Sequence, residues 1–117
     1  MITKIVEKLK TGTVKNAVPF GWSLPAAPYV VVKMERDSLG RGIAYRIIAH
    51  FKPGQNIFLE DYVMNELMTL LDGYAAITRH GTYQELESTG EWGALVTDND
   101  DSTISMERVF LVPGMIY

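Results

Sequence analysis

Two histidines, His50 and His80, and a complete lack of cysteine bound the chemistry open to this chain. Helical metal pairs set two ligands one turn apart on one face, and positions 50 and 80 do not share such a spacing. Without cysteine there is no disulfide framework, no thiolate nucleophile and no thiolate-held zinc or iron–sulfur site. Serine, threonine, histidine and aspartate for a nucleophilic triad are present, but no Gly-x-Ser-x-Gly elbow presents a nucleophile. The segment Leu39-Gly40-Arg41-Gly42 has two glycines of a phosphate loop but neither the later glycine nor the Lys-Ser or Lys-Thr pair that holds phosphates. It therefore reads as a turn. His50 reads as a strand residue on the less buried face of a sheet.

The carboxylates divide into two groups. Glu60 and Asp61 fall near a helix start, where the helix dipole is sufficient cause for acidic side chains. Asp98, Asp100 and Asp101 crowd three like charges into one short polar segment. A calcium loop would end in a glutamate about twelve positions after the first acid, and position 109 is valine. Two readings remain for this cluster. It is a solvated hairpin tip with Asx turns, or, repeated around an axis, an acidic lumen that DNA passes without sticking.

Composition narrows the class further. The 117 residues, 47% of them apolar, suffice for one domain over residues 1–117 with a core of its own. The net charge of −3 and the scattered Lys and Arg argue against tight binding to a phosphate backbone. Lys4, Lys8 and Lys10 break up the apolar residues at the N-terminus, so no secretory leader is expected there. No apolar run approaches the roughly 20 residues of a membrane helix.

Periodicity supplies the elements that position these groups. Ile2, Ile5, Val6 and Leu9 recur at helical spacing, with Gly12 as the stop. The stretch 13–28 contains Pro19, Gly21, Pro25 and Pro28, so neither a helix nor a central strand runs through it. Val18, Phe20, Trp22 and Leu24 make it too apolar for a solvated linker; they cover their own sheet or meet a neighbour. Residues 29–35 form a β-branched strand and 43–51 its antiparallel return, with Ile43, Tyr45, Ile47, Ala49 and Phe51 on one face and Arg46 and His50 on the other. The best helix follows, capped by Asn56 and stopped by Gly73, with Leu59, Val63, Leu67 and Leu70 along its stripe and Tyr62, Leu71 and Phe58 widening it. Short extended pieces are expected at 75–78 and 82–86, then a hairpin from 94–97 to 103–112. Met34, Met64, Met68 and Met106 read as gap-fillers in the core.

The predicted fold is α+β, in the order α-β-β-α-β-β, an antiparallel sheet with helices packed on one face. Its first and last strands, Val30-Val31-Val32 and 103–112, read as open edges able to pair with another copy. The candidate interface residues are Phe20, Trp22, Arg36, Leu39 and Arg41. The candidate lumen-facing tip is Asp98, Asp100 and Asp101.

An N-terminal helix, a proline-rich approach ending in Ala-Pro-Tyr-Val-Val-Val (27–32), the strand Tyr-Arg-Ile-Ile-Ala-His-Phe (45–51), a helix ending in Leu-Leu-Asp-Gly and a final hairpin resemble the tail terminator proteins of long-tailed bacteriophages. These are also called tail-completion or tail-to-head joining proteins. The resemblance implies a structural virion protein of the tail or neck, assembled in the host cytoplasm. It implies a homo-oligomeric ring, a hexamer in that family, that caps the tail tube and meets the head-completion or connector protein while DNA passes through. It implies no enzyme activity and no cofactor; no membrane partner is expected, given the lack of a long apolar run. Another phage connection protein, a head-completion stopper or tail tube subunit, is the nearest alternative. A small ligand-binding or enzymatic domain is the more distant one, and its mark would be a deep pocket with polar groups converging on His50, Arg46 or Tyr45.

Overall fold

A computed structural model describes residues 1–78 and 80–114. In chain order the elements are α1 (Ile2–Leu9), β1 (Ala17–Pro19), β2 (Tyr29–Arg36), β3 (Gly42–Phe51), α2 (Asn56–Asp61), a π turn (Tyr62–Glu66), α3 (Leu67–Leu71), β4 (Ala75–Ile77), β5 (Tyr83–Glu85), β6 (Glu87–Val96) and β7 (Ile104–Pro113). The chain is thus α+β, with one five-stranded sheet in the order β1-β2-β3-β7-β6 and a separate β4-β5 hairpin.

The sheet's two faces follow from alternation. Val30 and Val32 of β2, Tyr45, Ile47, Ala49 and Phe51 of β3, and Met106 and Phe110 of β7 share one core with Ile5 and Leu9 of α1 and with Leu59, Val63, Leu67 and Leu71. The other parity, Tyr29, Val31 and Lys33 on β2 against His50, Ile48 and Arg46 on β3, forms the opposite face. Arg46 and His50 therefore stand where the alternation puts them. Near the middle of this face the Arg46 guanidinium binds Glu35 Oε1 through Nε and Nη2 at 3.0 and 2.7 Å and pairs with Glu107 through Nη1.

Two strands expected at the edges lie inside the sheet. β2 is covered by β1, which pairs with it in parallel from Ala17↔Val30 to Pro19↔Val32, and β7 lies between β3 and β6. The true edges are blunted. β1 is three residues long and ends at Pro19, and β6 pairs with β7 in an interrupted register with breaks between Ser88 and Trp92 and between Gly93 and Val96. β6 begins at Glu87, well before the expected Ala94, because Gly90, Gly93 and the acids Glu87 and Glu91 hide a strand with mostly exposed side chains.

The helices also depart from expectation in detail. Gln55, not Asn56, is the N-cap, and no side chain caps the helix. Ile57 and Phe58, 79% and 68% exposed, do not widen the buried stripe. The helix is interrupted by the π turn, in which the Leu67 N–H reaches back to Tyr62 O. Gly73 has φ +77° just past the last helical turn, the left-handed position that glycine takes most easily. At Gly12 a Cβ would lie 2.6 Å from Glu66 Oε2 and 2.8 Å from Leu70 Cδ1, the ends of two flexible side chains that pack over it. Met106 is buried and Met64 and Met68 pack against the core, but Met34 is 39% exposed and fills no gap.

Candidate functional site

The parallel pairing of β1 with β2 creates the most distinctive surface. Parallel neighbours cannot be joined by a tight turn, so the chain from Phe20 to Pro28 has to travel back along the sheet. Its ends are tied down: the Phe20 N–H donates to Val32 O (2.9 Å), and Asn16 Nδ2 donates to Ala26 O (3.3 Å). Pro25 and Pro28 keep it from becoming a strand, and the Ala27–Pro28 bond is cis. This strap lies against the face opposite the helices. Between it and the sheet runs an open groove of about 430 Å³, walled by Phe20, Trp22 and Leu24, floored by Val31, Ile48 and His50, and rimmed by Asp100 and Asp101. Phe20, Trp22 and Leu24 are each more than half exposed, although Tyr29 and Val31 on the same face of the sheet are buried.

The groove floor is held by a hydrogen-bonded chain. Tyr29 and His50, directly paired across β2 and β3, stack at 4.6 Å with 10° between the rings. The Tyr29 hydroxyl donates to Asp101 Oδ2 at 2.6 Å, and the Thr103 hydroxyl and N–H donate to Asp101 Oδ1 at 2.5 and 3.2 Å. The Thr103 hydroxyl has one proton, which goes to the carboxylate, so the 2.9 Å contact with His50 Nδ1 requires the ring nitrogen to be the donor. Neutral His50 is thereby held as the Nδ1–H tautomer, with Nε2 as an acceptor. Burial lowers the His50 pKa, against the opposing pull of Asp101. The bonds from Thr103 and Tyr29 keep the Asp101 carboxyl below its ordinary value, and burial raises the Tyr29 hydroxyl, with Asp101 adding to the shift.

The candidate residues fall into distinct places. Phe20, Trp22, Asp100 and Asp101 meet at the groove. Asp101, exposed like Asp98 and Asp100, is no free tip charge; it is the anchor of the Tyr29–Thr103 network, in the Asx-turn pattern. Arg36, Leu39 and Arg41 lie at the other end of β2, in and beside the β2–β3 loop, away from the groove. Leu39 projects there, 72% exposed. Arg41 is engaged within its own chain: Nε and Nη2 donate to the two Asp37 oxygens at 2.8 and 2.9 Å, and Glu91 lies 3.5 Å from Nη2. The Arg41 bonds lower the Asp37 pKa to about 2.

Polar groups do not converge on one pocket. His50 belongs to the groove, Arg46 to a cleft beside β6 with Trp92 and Glu107, and Tyr45 to a third cavity with Lys4, His80 and Gln84. Among the described residues no group of three or more His, Asp or Glu is placed to hold a metal ion, and no helix is long and apolar enough to cross a membrane. Sequence reasoning missed the Tyr29–Asp101 bond and the buried Arg108, both of which depend on contacts between distant strands. No family model matches this chain, and neither curated proteins nor solved structures contain a significant match to it.

Proposed function

We propose that this chain is a structural protein of the tail terminator type: it closes into a homo-oligomeric ring, a hexamer by resemblance, that caps a phage tail tube and joins it to the head-completion or connector protein. The observation that carries this reading is the amount of large apolar surface the single chain leaves in water. Phe20, Trp22 and Leu24 on the strap, Leu39 on the β2–β3 loop, and Ile57 and Phe58 at the start of α2 are all more than half exposed, in three separate segments. Apolar surface in several places favours a protein that works inside an assembly, and two unlike patches per subunit are what a closed cyclic ring needs.

The α+β order, a helix, the β2–β3 hairpin, a helix and the β6–β7 hairpin, is in keeping with the same assignment, although β1, β4 and β5 add to the α-β-β-α-β-β order expected and β1 pairs in parallel. Because both sheet edges are blunted, the subunits join through projecting side chains and loops and not by extending the sheet. Exposed Asp98 and Asp100 suit a lumen that repels DNA, with no catalysis and no cofactor. The proposed location is the virion tail or neck, after assembly in the host cytoplasm.

Mass measurement under native conditions, with and without purified tail tubes, tests the proposal. A closed ring that halts tube growth is the expected result. A monomer at every concentration that ignores tubes would remove the reading, and stacking into long open tubes would replace it with a tail tube subunit.

A further inference from the structure

The cavity at Tyr45 differs in kind from the strap groove and from the cleft at Arg46. Met34 and Ile43 continue the core-facing parity of β2 and β3, yet Met34 is 39% exposed and Ile43 is only partly buried. The core face of the sheet therefore runs on past the helices that cover it. There it opens into a cavity of about 820 Å³, lined by Met34, Ile43 and Tyr45 of the sheet, by Ile2 and Lys4 of α1 and by Gln84 of β5.

Two independent features of this cavity point to a ligand. Gln84 is 9% exposed, and among the described residues its Oε1 has no hydrogen-bond partner. A buried acceptor without a donor keeps its desolvation cost, and a ligand that donates to it removes that cost. The second feature is the start of α1. No side chain caps this helix and no acidic residue stands in its first turn, so its leading N–H groups and the positive end of its dipole adjoin the same cavity. Lys4 and His80 can add positive charge, and no carboxylate lines the cavity. A helix start and a lysine call for an anion, the Gln84 oxygen for an N–H or O–H, and Met34 and Ile43 for an apolar body between them. A bare ion would meet only the first of these.

We infer that this cavity binds a small organic anion, with its charged group at the first turn of α1 beside Lys4 and its donor on Gln84 Oε1. The volume falls within the roughly 300–1,000 Å³ of small-molecule sites. The site lies apart from the strap groove and does not rest on the ring. Carboxylates and phosphate esters share the required chemistry, and the test separates them.

Calorimetric titration of the full-length chain compares three probes. N-acetyl-leucine joins an amide N–H and an apolar body to a carboxylate, uridine monophosphate joins an imide N–H to a phosphate, and inorganic phosphate is the bare anion. One of the two organic anions should bind saturably, about tenfold more tightly than inorganic phosphate. Gln84→Leu should lose that advantage yet melt no lower than the wild type, because it removes an unpartnered polar group. Lys4→Glu, at an exposed position, should weaken binding through the charge alone, and it carries the test if Gln84→Leu fails to fold. No saturable binding of either organic anion, inorganic phosphate binding as tightly, or either folded variant binding as the wild type does would overturn the site. Binding that vanishes when the chain assembles would give the cavity to a neighbouring copy and overturn it as well.

Discussion

The guanidinium of Arg108 lies 3.3 Å from the main-chain oxygen of Met64, inside the π turn that divides the second helix. Arg108 occupies a core-facing position of β7, is 8% exposed, and also approaches Val63 O at 3.5 Å and Ser88 Oγ at 3.4 Å. Among the described residues its Nε has no hydrogen-bond partner and no carboxylate comes within ion-pair distance. Among the described residues the buried charge is met by carbonyl and hydroxyl dipoles and by Met64 Sδ at 4.0 Å. Bringing the Val63 and Met64 oxygens to one cation gives the widened turn a physical role, since π turns redirect main-chain carbonyls.

Truncation and replacement of Arg108 should differ. Arg108→Ala leaves a cavity and strips the carbonyls of their donor, at an expected cost of about 2–4 kcal/mol. Arg108→Met refills the space without a buried charge, a type of change that is often neutral. Urea unfolding measures both, and equal losses would show that the charge itself is what the core requires.

Gly42→Ala should be among the most damaging small changes. A Cβ at this position would stand 2.2 Å from Val112 O, and the backbone on both sides is locked in the β3–β7 ladder. The expected cost is about 3 kcal/mol, read from thermal unfolding. A loss below about 1 kcal/mol would mean that the two central strands separate easily at this end.

Stability should fall in mild acid because of His50. Burial lowers the folded-state pKa, so as pH drops the unfolded chain takes up the proton first. The loss begins near the ordinary imidazole value of about 6.5 and continues through the lower folded value. His50→Phe keeps the stack on Tyr29 and should flatten this part of the profile. An unchanged slope in His50→Phe would assign the effect elsewhere.

Glu66 should control the segment after α1. Its carboxylate accepts the Thr13 N–H at 2.8 Å and the Thr13 hydroxyl at 2.8 and 2.9 Å, fastening that loop to the end of the π turn. Glu66→Ala should cost about 1–2 kcal/mol and speed hydrogen exchange at the Thr13 amide. Protection that survives the substitution would contradict this anchoring.

Asp101 should be needed for the groove floor. Asp101→Asn leaves an amide nitrogen or a neutral oxygen where Tyr29 and Thr103 now donate to a charged carboxylate, and hydrogen bonds to charged groups contribute about 1.5–3 kcal/mol. A smaller loss in Asp100→Asn is expected, since both carboxylates are exposed but only Asp101 accepts from Tyr29 and Thr103. Equal losses in the two variants would deny Asp101 its special place.

Local pattern determined what depends on near neighbours in the chain. Ile5, Val6 and Leu9 mark α1, and the strict alternation through Tyr45, Ile47 and Ala49 marks β3 and places His50 and Arg46 on the face away from the helices, because backbone periodicity alone decides side-chain direction. The tertiary structure decided which strands stand side by side. β1 is too short to be read from three residues, yet its parallel pairing turns Val30 to Val32 into an inner strand and forces the Phe20–Pro28 strap across the sheet. Asp101 looks like one of three equivalent tip charges until β7 brings it to Tyr29 on β2. Strand pairing joins residues far apart in sequence, and no local preference encodes which partner wins; that choice made the groove.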